Sequence, residues 1–107
     1  MYVVTNVISV KKGYANELIA LFETRKGIEE YPGFIRFELL IAERIPGHDE
    51  VHVHTTWDSK EDFQGWLRSD WFTKAHSKMG GYDYIIGNKV LYYEMAMQVK
   101  RKTAETA

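Results

Sequence analysis

Phe34-Ile35-Arg36-Phe37-Glu38-Leu39-Leu40-Ile41-Ala42, the loop Ile45-Pro46-Gly47-His48-Asp49 and the run Glu50-Val51-His52-Val53-His54-Thr55-Thr56-Trp57 decide the fold. Successive side chains of a strand point to opposite faces, so Ile35, Phe37, Leu39 and Ile41 share one side and Arg36, Glu38 and Leu40 the other. The Pro-Gly loop carries turn chemistry, and the second run again mixes β-branched residues with an alternating pattern. Two strands therefore stand next to each other in the middle of the chain.

Upstream, residues 2–10 alternate with Val4, Asn6, Ile8 and Val10 on one face and Val3, Thr5, Val7 and Ser9 on the other, which predicts a strand. Lys11-Lys12-Gly13 makes a turn, after which Leu18, Ile19, Leu21, Phe22, Arg25 and Ile28 recur at helical spacing. The spacing predicts a helix over 15–30, stopped by Tyr31-Pro32-Gly33. Downstream, two overlapping N-caps compete, Asp58 with Glu61 and Ser59 with Asp62. The helix they open carries Phe63, Trp66 and Leu67, meets a second capping signal at Ser69-Asp70, and continues through Trp71, Phe72, Ala75 and His76 to Gly80-Gly81. That pattern predicts two helical pieces with a bend. Residues 88–99 read as the last strand and residues 100–107 as a polar, frayed tail.

The order β-α-β-β-α-β is that of a ferredoxin-like α+β fold, one domain over 1–107 with two helices on one face of a four-stranded antiparallel sheet. In the last strand Leu91, Tyr93, Met95, Met97 and Val99 alternate with Val90, Tyr92, Glu94, Ala96 and Gln98, so neither face is clearly wetted. Helices cover only one of those faces. The other implies a partner, and the simplest is a second copy, giving a two-fold homodimer whose sheets pack face to face as a dimeric α+β barrel.

Composition narrows the chemistry. The 107 residues hold 14 basic and 15 acidic side chains, a net charge of −1, which supplies no basic field for nucleic acid or an anionic membrane. Zero cysteine excludes disulfides, thiolate metal sites and a thiol nucleophile, so a metal would need His, Met, Tyr or carboxylate ligands. The first residues lack a signal peptide's basic start and apolar core, and no apolar run approaches the roughly 18 residues of a membrane span. The expected compartment is the cytoplasm.

Asn6 interrupts the apolar stripe of the first strand, and an unpaired buried amide costs about 1–3 kcal/mol. Either neighbouring backbone or water satisfies it, or it is a donor aimed into a ligand pocket. A lone helical His such as His76 is commonly a surface or core-edge residue, yet with cysteine absent an imidazole is also the ordinary protein ligand of haem iron. His52 and His54 share a strand face at a spacing that ordinary alternation also produces, and no third ligand stands in register; His48 reads as a loop residue. Trp66 lies ten residues before His76, roughly 80° round a straight helix, and the bend could bring both to one cavity. Trp66, Trp71, Phe63 and Phe72 equally suit a core. No phosphate loop, Ser-His-Asp order or HExxH supports hydrolysis or phosphoryl transfer.

Several segments, in joint order, resemble one family: Val4-Thr5-Asn6, Gly27-Ile28-Glu29, Pro32-Gly33-Phe34, Asp49-Glu50-Val51, residues 57–62, Asp62-Phe63-Gln64-Gly65-Trp66, Lys74-Ala75-His76-Ser77, and Asn88-Lys89-Val90 leading into Tyr92-Tyr93. Over nearly its whole length the chain is similar to the IsdG-type haem-degrading monooxygenases, in particular their HmoA-like branch. The resemblance implies haem as both cofactor and substrate, ring opening with O2 and electrons from an external donor or reductase, and release of iron for iron acquisition. It maps that family's site onto Asn6, Trp66 and His76. His76 would be the proximal iron ligand, Asn6 a donor on the opposite side where dioxygen enters, and Trp66 the side chain that presses on and ruffles the macrocycle. Two rivals share the fold: a cofactor-independent quinol monooxygenase of the antibiotic-biosynthesis type, and a non-enzymatic haem-binding or sensing module.

Overall fold

β-branched residues fill the first strand, β1 (Tyr2–Val10), and it becomes the spine of the molecule. It is followed by α1 (Ala15–Glu23), a 3₁₀ turn (Ile28–Glu30), β2 (Phe34–Ala42), β3 (Asp49–Trp57), α2 (Lys60–Leu67) and β4 (Ile85–Glu94). The computed structural model describes residues 1–24, 27–70 and 82–102. One antiparallel sheet has the order β2-β3-β1-β4, so β1 is hydrogen-bonded on both edges, to β3 and to β4. This is the ferredoxin-like arrangement of the sequence pattern, with α1 and α2 on one sheet face. No helix among the described residues is long and apolar enough to cross a membrane.

The core lies under the helices as two separate clusters. Ile8 and Val10 of β1 and Val51 of β3 pack against Ala15 and Leu18 of α1. Val4 of β1 and Trp57 of β3 pack against Phe63 and Trp66 of α2. Each cluster joins one helix to the sheet through apolar contact, the main favourable term in a domain of this size.

Local chemistry explains where elements stop, corrects three expectations and decides between the two competing caps. The helix expected over 15–30 ends at Glu23, where the Thr24 hydroxyl donates to the Leu21 carbonyl at 2.9 Å. Gly27 then takes φ = 116°, a conformation no helix contains, and the 3₁₀ turn begins afresh. In β2 the rung Phe34↔Trp57 is followed by Arg36↔Thr56, so Ile35 is an extra, bulged residue and not a member of the Phe37–Leu39 face. At α2 the choice falls on Ser59: its Oγ accepts from the Asp62 N–H at 3.2 Å and donates to Asp62 Oδ2 at 2.9 Å. The Asp58 N–H is committed elsewhere, to the Gly33 carbonyl at 2.8 Å. Finally, β4 spans Ile85–Glu94 and not 88–99, because Glu94 pairs with Tyr2, and one further bond, from the Met95 N–H to the Met1 carbonyl, exhausts the partner strand. Residues 95–102 run on outside helix and strand.

The second helical piece expected through Trp71, Phe72, Ala75 and His76, together with Gly80-Gly81, lies outside the described residues, as do residues 103–107 of the expected tail. At the end of α2 the Ser69 hydroxyl turns back to donate to the Trp66 carbonyl at 2.6 Å.

Candidate functional site

Along the helix-side face of β1 the order Val4, Asn6, Ile8 runs from the α2 cluster to the α1 cluster, and Asn6 belongs to neither. The amide lies between the Val4 contact with α2 and the Ile8 contact with α1. It is half-buried, not sealed, so the desolvation cost foreseen for a buried amide is only partly incurred. One of its two polar atoms is satisfied: Asn88 Nδ2 donates to Asn6 Oδ1 at 3.0 Å. No described residue accepts from its NH2 group, which leaves a donor between the two contacts.

β4 supplies the floor beside it. Val90 lies opposite Asn6 and Tyr92 opposite Val4, on the same sheet face, yet they are 38% and 56% exposed. Among the described residues these apolar side chains on the helix side of the sheet make an accessible apolar strip beside Asn6, the candidate groove. Its α2 wall is aromatic: Phe63 stands 6.1 Å from Tyr92, 6.3 Å from Trp66 and 5.7 Å from Trp57 by ring centroids. The groove suits a flat, largely apolar ligand oriented by a few polar groups.

Trp66 is placed by α2 in this wall, 7% exposed, with its ring 5.5 Å from that of Trp57. Asn6 is the next residue along the same strand face from Val4, which packs in the cluster that holds Trp66, so the fold brings the two to one region. His76 lies outside the described residues. Among the described residues no group of three or more His, Asp or Glu side chains is placed to hold a metal ion. Sequence reasoning missed Asn88. A signal was available in a second amide, in the last strand, but only the register makes the two meet.

The remaining histidines occupy other positions. His54 shares a 2.9 Å hydrogen bond between its Nδ1 and the Thr5 hydroxyl on the opposite sheet face. Glu50 Oε1 and Oε2 lie 3.1 Å from His52 Nε2 and His48 Nε2, and these contacts hold the Glu50 carboxyl below the ordinary carboxylate range. That face carries a shallow depression of about 430 Å³ lined by Val7, Ser9, Glu50, His52, Lys89 and Leu91 among others.

Residues 1–78 match the antibiotic biosynthesis monooxygenase family, a span that includes Asn6, Trp66 and His76. The chain is 43% identical over 96 residues to a heme-degrading monooxygenase of Bacillus thuringiensis, covering 89% of this chain and 90% of that protein. The same identity and coverage hold for a heme-degrading monooxygenase of Bacillus anthracis. Among solved structures, the heme-degrader MhuD of Mycobacterium tuberculosis, with two hemes bound in its active site, superimposes with a TM-score of 0.75 at 31% identity, over 94% of this chain and all of that one.

Proposed function

The chain belongs to the antibiotic biosynthesis monooxygenase family, and from that membership we propose that it is a haem-degrading monooxygenase whose substrate lies in the groove at Asn6. The enzyme class follows from relatives at 43% identity over most of the chain. One observation carries the placement. A half-buried amide, in a stripe otherwise apolar, has its oxygen tied to Asn88 and its NH2 without an acceptor among the described residues, beside accessible Val90 and Tyr92. A quinol reading of the same fold gives no comparable reason for sequence identity to haem degraders.

The residues present fit a porphyrin. Val4, Val90, Tyr92 and Phe63 offer apolar contact, and burying such area contributes about 25 cal/mol per Å². Haem when bound supplies the redox-active iron and is itself the ring that is oxidised, with O2 as oxidant and an external donor or reductase as the source of electrons. Of this chain's residues, His76 is the one assigned to hold the iron through an imidazole nitrogen, the ordinary protein donor in a cysteine-free chain. Asn6 holds a hydrogen-bond donor at the site, where such a group would stabilise negative charge developing on oxygen. Trp66, braced by Trp57 and Phe63, would give the bound ring a stiff aromatic neighbour. The proposal places the reaction in the cytoplasm, in a homodimer, with iron released as a product.

Titration of the purified protein with haemin, followed by ascorbate in air, tests this reading. A shifted Soret band at one haem per subunit that decays to a bilin-like spectrum with iron release is expected, and His76→Ala and Asn6→Ala should each abolish the decay. Normal turnover by His76→Ala, or a wild-type protein that binds no haem, would sink it.

A further inference from the structure

Asn6 is useful at the groove only if its amide presents nitrogen and not oxygen, and nothing in the residue itself decides this, because the two orientations of an amide have nearly the same shape. The two amides, Asn6 and Asn88, are oriented as a pair, and the structure has Asn88 as the donor. Asn88 Nδ2 lies 3.0 Å from Asn6 Oδ1, on the next strand, and its donated bond ties down the oxygen and turns the NH2 outward. The position of Asn88 is set by the sheet: its Cα faces Ile8, two rungs from the Asn6↔Val90 rung and so on the same sheet face.

A second feature of β4 makes the contact possible. Ile85 faces Val10, and Asn88 faces Ile8, so both sit on the helix side of the sheet although they are an odd number of residues apart. In a regular strand they would fall on opposite faces. The register shift between Ser9 and Val10, which leaves Ile86 as the extra residue, absorbs the difference. Ile85 thereby packs on the α1 cluster while Asn88 reaches Asn6.

We infer that Asn88 is a positioning residue for the haem-degrading reaction, acting through Asn6 by holding its side-chain oxygen and so fixing its NH2 toward the groove. The inference rests on the function proposed above. Asn88 touches neither haem nor the reacting atoms in this assignment; it sets what Asn6 can offer them.

Asn88→Asp is the decisive variant, since it keeps size and shape but can only accept. Asn6 must then rotate, giving its NH2 to residue 88 and its oxygen to the groove. In the haem-free protein, side-chain amide NMR of the wild type should show nuclear Overhauser contacts from the Asn88 NH2 to Asn6, and in Asn88→Asp from the Asn6 NH2 to residue 88. In the haemin-loaded protein, Asn88→Asp should lower kcat for ring opening roughly tenfold to a hundredfold, as loss of an orienting partner does, with haemin affinity within about threefold of wild type. Asn88→Gln, which keeps a donor, should recover most of that loss. A purely structural role predicts the reverse pattern: wild-type kcat in Asn88→Asp, or an Asn6 NH2 already directed at residue 88 in the wild type, and either result overturns the inference. Should the wild type fail to degrade haem, the functional reading falls, while the amide contacts in the haem-free protein still decide the orientation. If Asn88→Asp does not fold, the wild-type contacts and the Asn88→Gln rate decide it.

Discussion

Glu50 accepts from two imidazoles at once, one for each carboxylate oxygen, and both neighbours come from its own strand or the loop before it. The His52 contact and then the His48 contact are the main reasons its carboxyl gives up a proton more readily than usual. A carboxyl that ionises more easily in the folded chain than in the unfolded one favours folding once it is charged. That contribution is complete above the ordinary value of 4.5 and fades as pH falls through the lowered folded value. Glu50→Gln should therefore melt below wild type at pH about 6, and the gap between the two should narrow as pH falls below the ordinary carboxylate range. A gap that stays constant through that range would assign the effect to packing instead.

Between β2 and α2 one glycine controls how two elements meet. Gly33 has φ = 85°, and a Cβ built there would overlap the Asp62 side chain, the group that completes the Ser59 cap of α2. Gly33→Ala should cost about 1 kcal/mol for the left-handed backbone and about 1 kcal/mol more for the disturbed cap. For a domain of this length that is a fall in Tm on the order of 10 °C. Gly47 has a similar φ of 87° with open space around it, so Gly47→Ala should cost only the first amount, and equal losses in the two variants would count against the clash. The strands themselves were legible as alternation, and the Ser59-Asp62 cap as a pattern of spacing. The bulges at Ile35 and Ile86 were not, since an inserted residue changes the face of its neighbours without changing composition. Asn6 was legible as an interruption of a stripe. Its bond to Asn88 joins residues 82 apart, and only the β1–β4 register reveals it.

At the scale of the whole molecule, the sheet face away from the helices remains uncovered, with Leu40 50% and Tyr93 48% exposed on it. A second copy laid against that face is the expected assembly, and sedimentation should return twice the 12.5 kDa of one chain. Leu40→Glu should shift it toward the single-chain mass; a wild type that sediments as one chain at all concentrations would remove the dimer. The helix-covered side carries a different consequence. Among the described residues the apolar contacts under α1 and those under α2 form separate clusters, joined through the strands that both share. A ligand seated at that division would bridge them, so its binding energy would reappear as cooperativity of unfolding, two loosely linked halves becoming one unit that melts together.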